Sequence, residues 1–477
     1  METMDERGKT RPMMHGQTQE MGAADSPQRH RLLTTHHQKT LWVYWSLVFL
    51  GAWIIFTPLT FGYNVGIVQP SGGREVWLSL STRIALMRWN DLLCGLLLLV
   101  LGLRSLRSDR PVSLWLACFV GVWLTFAPIL FWAPSALIYY NDTFVGMLVI
   151  ALTILIPGMP NMVNFMEMGT DVPRGWSYNP SSWAQRWIMA VTGLLGWFVS
   201  RYLAAYQLGY SASVWDPFFG ESTRMVLNSD MSHSLPISDA GLGSIAYTFE
   251  FLMAFMGSPA RWRTMPWMVT FFGILVIPLG LVHIFLVISQ PIVVGQWCTF
   301  CLLAALIMLP MIPLEVDEVI AMVQFMRRRV QAGDSFWKVF WKGGPEEDDH
   351  HRHKKAPPLY QFTFHPGKII RSSFWGMNFP GTLALSALAG LTMVAISHGD
   401  HAETLVGLLV FTVSVLSMGE PLRILRFINF LLVAGLLITN GIEVHWQVTL
   451  LAAIVVGASL PKGKIENHFG RWDRLIH

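Results

Sequence analysis

From residue 41 onward the chain alternates long apolar runs with short polar turns rich in Gly and Pro. A run of about twenty apolar residues crosses a bilayer as a helix. By that criterion about twelve spans are predicted, near 41–63, 84–104, 112–132, 142–160, 185–208, 239–257, 267–289, 291–313, 380–398, 402–419, 422–441 and 443–460. The expected fold class is an all-α polytopic membrane protein, its spans grouped four, four and four. Composition agrees: of 477 residues 53% are hydrophobic and 13% charged, more apolar surface than a soluble chain can hide. The net charge of +4 does not point to nucleic acid, because the basic residues gather in particular loops. Arg104, Arg107, Arg110, Arg261, Arg263, Arg327, Arg328, Arg329, Arg423, Arg426, Lys462 and Lys464 all follow even-numbered spans. The positive-inside rule then puts both termini on the cytoplasmic side of a plasma or inner membrane, with Arg74 and Arg83 as exceptions. The outer loop 209–238 carries Asp216, Glu221 and Asp230 against Arg224.

Two stretches of the first four spans repeat. GAWIIFTPLTF (51–61) and GVWLTFAPILF (121–131) share a GxWxxFxPxxF pattern, and WNDLLCG (89–95) matches YNDTFVG (140–146). ETLVGLLV (403–410) echoes DTFVGMLV (142–149) near the other end of the chain. The unit reads as a repeated helical hairpin, with Gly and Pro serving close packing. Asp91 and Asp142 are expected near a membrane boundary or the start of a helix, where the helix dipole favours a carboxylate. This pattern resembles the SPW-repeat family, which implies a membrane unit without a defined activity. Residues 1–40 read as a disordered cytoplasmic tail and 461–477 as a cytoplasmic tail. The charge-dense run at 343–358 reads as a solvated linker, and 315–331 as an amphipathic helix on the membrane surface. His350, His351 and His353 belong to that linker, and no residue set has the spacing of a metal site.

Candidate chemistry gathers at PIVVGQWCTFCLLAALIMLPMIP (291–313), predicted as one spanning helix. Cys298 and Cys301 stand at i and i+3 near its start, so they share a face within disulfide reach. A helix N-terminus favours a thiolate. Such a dithiol, placed at the outer membrane surface, suits electron exchange with a lipid-soluble carrier. Cys94 and Cys118 read as packing residues.

Segments 185–313 resemble the vitamin K epoxide reductase family, a four-helix membrane fold coupling quinone reduction to thiol oxidation. The resemblance rests on GQWCTFC and on VLNSDMSHSLPISDAGLGSIAY (226–247), with Val226, Leu227, Ser229, Pro236, a helix-opening Gly243 and Tyr247 in the family's positions. It implies a central domain at 185–314. The flanking four-helix units then fall at 41–160 and 379–460, joined through 161–184 and 315–378. It further implies catalytic Cys298 and Cys301, with Cys301 nearer the quinone and Cys298 facing the electron donor. The quinone, of menaquinone or ubiquinone type, would be held by Asp239, Ser229, Tyr247 and Trp297. Asp239 stands where the family often has Asn; it either donates from its acid form or caps its helix as a carboxylate. The partner implied is a separate thioredoxin-like protein. Three departures stand out: no cysteines in loop 209–238, where Ser222, Thr223 and Trp215 occupy the region; no thioredoxin-like domain; and Ala305 one turn beyond the pair.

His283 is a candidate proton relay or an interhelical hydrogen-bonding residue. Arg201 and Glu250, at comparable depth in adjacent spans, are expected to pair. The function expected is a membrane thiol–disulfide/quinone oxidoreductase working among membrane lipids. The alternatives are a non-catalytic quinone- or lipid-binding scaffold that has lost the loop cysteines, and a small-solute transporter built from the outer units.

Overall fold

The computed structural model describes residues 34–35, 37–107, 111–155, 170–346, 366–397, 399–440 and 446–476. Arg110, most of the 1–40 tail, much of the 161–184 linker and the His350, His351 and His353 cluster lie outside these. The described residues are helical and form no strand. The predicted spans overlap helices among the described residues, with one boundary displaced as described below: α1 Leu41–Thr60, α2 Leu80–Ser105, α3 Pro111–Leu130, α4 Ala136–Ile154, α5 Trp183–Gln207, α6 Asp239–Phe255, α7 Pro266–Val294, α8 Thr299–Gln331, α9 Gly381–Ile396, α10 His401–Leu416, α11 Ile428–Asn440 and α12 Trp446–Ser459. Among the described residues eight helices meet the length and apolarity of a membrane span, α11 counted together with the 3-10 turn before it. α9, α10 and α12 are shorter apolar helices, and α6 has 17 residues and carries Asp239 and Glu250. Large apolar side chains such as Phe49, Phe119, Phe198, Phe285 and Leu431 stay exposed on the outer faces, as lipid-facing helices require.

The helices pack as three rings of four. α1 lies against α2, α2 against α3, α3 against α4 and α4 back against α1; α5, α6, α7 and α8 close in the same way, as do α9, α10, α11 and α12. In each outer ring a Gly–Gly crossing brings two helices together. A Cβ on Gly51 would stand 2.7 Å from the Gly95 carbonyl, one on Gly146 2.7 Å from that of Gly121, and one on Gly390 2.6 Å from that of Gly407. Backbone contact of this kind excludes any side chain.

The crossing explains the repeat itself. Trp53 of α1 donates from Nε1 to Asn141 Oδ1 of α4 at 2.8 Å, and Trp123 of α3 donates to Asn90 Oδ1 of α2 at 2.7 Å. Each Asn in turn donates to its own neighbour, Asn90 to Asp91 and Asn141 to Asp142. The Trp of one hairpin thus reads the Asn of the other. Asp91 and Asp142 are both fully buried, and their carboxyls face each other across the ring.

Two expectations about the central ring change. The 291–313 run is not one helix: residues 290–294 are a π turn that ends α7, Gly295 turns left-handed (φ 70°), and α8 starts only at Thr299. The predicted surface helix 315–331 is the continuation of α8, which runs 33 residues through Pro310 and Pro313. Its acids face inward. Glu315, Asp317 and Glu318 are buried, Asp317 bonded by Tyr178, and Glu318 by Ser181 and by both Nε and Nη2 of Arg261 at 2.6 and 2.5 Å. Arg261, Arg263 and Arg423, read from sequence as loop charges, are buried too. Arg186 and Arg261 donate to carbonyls at the C-terminal end of α6, where unpaired carbonyls need donors.

Candidate redox site

The site begins where α7 gives way to α8. Cys298 is the N-cap of α8 in an extended conformation (φ −112°, ψ 112°), and its Sγ accepts from the Cys301 N–H at 3.1 Å. The chain therefore turns into the helix between the two cysteines, which form a disulfide with Cα atoms 5.2 Å apart. Cys298 is fully buried, whereas Cys301 is partly exposed.

The loop before α6 lies over this corner. A short helix, Ser222–Leu227, brings Ser222 to Gln296, its Oγ donating at 2.7 Å. Asp216 accepts from the hydroxyl of Thr299 at 2.5 Å, from the hydroxyl of Thr223, and from the N–H groups of Phe218 and Phe219. Ser222 and Thr223, which stand in the region where the resemblance leads one to expect a loop cysteine, thus form part of a hydrogen-bonded cover on the residues flanking Cys298. Burial alone would raise the Asp216 carboxyl, but the bonds from Thr223, Thr299, Phe219 and Phe218 outweigh it and hold the group well below the usual carboxylate range. A carboxyl lowered on folding stabilises the cover above about pH 4, and that contribution is lost as pH falls from there toward the folded value. Asp216→Asn is expected to open the cover, since hydrogen bonds to a charged group contribute about 1.5–3 kcal/mol. The disulfide of the purified variant should be reduced by a phosphine on the order of 10- to 100-fold faster than in the wild type at neutral pH. Equal rates would show that the cover does not limit access.

Below the pair, Tyr247 of α6 is buried, donates to the Ala304 carbonyl at 3.3 Å and lies 6.4 Å, ring to ring, from His283 of α7. A Cβ on Gly196 of α5 would fall 2.3 Å from the Tyr247 ring, so α5 leaves space for it. His283 lies against the backbone of Cys301, and its buried Nε2 has no hydrogen-bond partner among the described residues. Trp297 packs on the main apolar cluster.

The remaining predicted residues fall differently. α6 opens at Asp239 rather than at Gly243, and Ser238 is its cap, accepting from Gly241 N–H. Asp239 is therefore not the cap. Its carboxylate accepts from Gln207 Nε2 at 2.5 Å and from Ser232 Oγ at 3.2 Å. Ser229 turns back to the Val226 carbonyl within its own loop. Arg201 and Glu250 do not pair: Arg201 donates to Thr143 Oγ1 at 2.8 Å, and Glu250 Oε2 is buried without a partner among the described residues. Sequence reasoning missed Gln207 and Asp216. Asp216 was legible only as a loop charge, because its partners are 7 and 83 positions away.

Residues 187–316 match the Vitamin K epoxide reductase family. The match begins inside α5 and ends inside α8, so it reaches all four helices of the central ring. Residues 75–156 match the SPW repeat domain, covering α2 to α4. Comparisons with curated proteins and with solved structures find no match. The vitamin K epoxide reductase match supports an oxidoreductase-type function in the membrane, and proteins of that family are quinone-associated.

Proposed function

We propose that the central ring is a thiol–disulfide/quinone oxidoreductase. The observation that carries the reading is the bonded pair Cys298–Cys301 at the head of α8, with Tyr247 and the unpartnered His283 Nε2 beside it. In the forward reaction the two thiols become one disulfide, releasing two electrons and two protons. The quinone, of menaquinone or ubiquinone type, takes up both and leaves as quinol. Cys301, the more exposed sulfur, faces the substrate. His283 supplies a hydrogen bond, and a proton, to a quinone oxygen. The family's hydrogen-bond role falls to His283 better than to Asp239, whose carboxylate is already held by Gln207 and Ser232. A separate thioredoxin-like thiol protein re-reduces the disulfide from the side of loop 209–238, on the outer face of the plasma or inner membrane, both termini being cytoplasmic.

The buried Cys298 favours a second reading, a quinone-binding scaffold without turnover, because a partner protein must displace the Asp216 cover to reach it. The redox state of the pair separates the two. In native membranes reduced with a dithiol, added quinone is expected to return Cys298 and Cys301 to the disulfide, seen as loss of thiol labelling. Thiols that stay labelled after quinone addition would leave only the scaffold.

A further inference from the structure

Arg201 stands out once its expected partner is gone. It lies in α5, six residues from the end at Gln207, or about 9 Å along the helix, on the same side of the membrane as the cysteines. Its guanidinium sits 5.1, 5.1 and 4.8 Å from the rings of Tyr139, Tyr140 and Trp197. Among the described residues no carboxylate pairs with it, and one hydrogen bond, to Thr143, uses one of five donors. Beside it opens a groove of about 630 Å³ between α4 and α5, walled by Leu137, Tyr140, Phe144, Trp197 and Phe198. The groove is apolar except for this cation and a few tyrosine and asparagine groups at its rim. An uncompensated positive charge inside an apolar membrane groove needs an anion with an apolar tail.

We propose that this groove binds one anionic phospholipid, its phosphate on Arg201 and an acyl chain along Phe144 and Phe198. Aromatic faces hold the cation in place but give it no negative charge. A lipid phosphate at headgroup level supplies that charge within reach of a snorkelling arginine. A neutral quinone headgroup would leave the cation uncompensated. The site is separate from the redox chemistry, and it would join the SPW-repeat unit to the central ring through lipid.

Native mass spectrometry of the full-length protein in detergent tests this with phosphatidylglycerol, phosphatidylcholine and inorganic phosphate as separate probes. The wild type should hold one phosphatidylglycerol about five- to tenfold more tightly than phosphatidylcholine. Arg201→Gln should abolish that preference and Arg201→Lys keep part of it. Leu137, 58% exposed on the groove wall, provides the second variant. Leu137→Trp should fill the groove and lower binding of both lipids while the protein elutes as the wild type does. Equal retention of both lipids by the wild type, undiminished preference in Arg201→Gln, or inorganic phosphate binding as tightly as the lipid would each overturn the proposal.

Discussion

Cys298→Ala is expected to remove thiol-dependent quinone reduction from membranes, a loss on the order of 10³-fold or more. A lone Cys301 can attack or donate, but it cannot close the disulfide that delivers the second electron. Members of a catalytic pair act as one unit, so Cys301→Ala should cost about as much, and the double variant little beyond either single one. The measurement is quinol formation by membranes given a small dithiol and a short-chain quinone. The variant should fold, because removal of one sulfur from a cap position leaves the rest of α8 and its buried acids untouched. A rate equal to that of the wild type would remove the pair from the chemistry and leave the scaffold reading.

Arg261→Met should be the most destabilising single change at the opposite end of the central ring. Arg261 is 1% exposed and binds Glu318, 2% exposed, through two nitrogens, with a third bond to the Met253 carbonyl. Its removal leaves Glu318 with Ser181 alone, close to Glu315, whose Oε1 already has no partner among the described residues. Breaking a buried ion pair from one side costs about 3–5 kcal/mol. The midpoint of thermal unfolding in detergent should fall by many degrees. Arg261→Met combined with Glu318→Leu should recover part of the loss, since the stranded charge goes with its partner. A single variant as stable as the wild type would show that the pair does not hold α8 to the loop after α6.

Much of the fold was legible because bilayer thickness imposes a length on every span. The apolar runs fall on helices except at 291–298, and the repeat pointed to hairpins before any contact was known. The GxWxxFxPxxF pattern also proved to be a packing code: its first Gly makes the crossing, and its Trp bonds the Asn of the other hairpin. The start of α8 was not legible. The Ile-Val-Val stretch at 292–294 runs on from α7 and is followed within a few residues by the apolar start of α8, so a span-length hydropathy window does not resolve the π turn and the left-handed Gly295 between them. The pairing of Arg201 with Glu250 failed for a related reason. Depth in the membrane predicts level but not rotation, and the two side chains face different neighbours. Buried acids in α8 were misread as a polar face, because Glu315, Asp317 and Glu318 look the same in sequence whether water or Arg261 and Tyr178 covers them.

By itself the sequence determined that this is a helical, membrane-crossing chain, that its first spans repeat one pattern, and that two cysteines stand three apart beside a membrane helix. Those properties are local: they follow from run length, from internal similarity and from spacing. Only the tertiary structure decided that Cys298 is sealed under Asp216 and Thr223, that His283 and Tyr247 meet below the pair, and that Arg201 opens on a groove. Each of these is a meeting of residues far apart in the chain, fixed by how helices rotate and cross when their buried polar groups must find partners in a medium that offers no water.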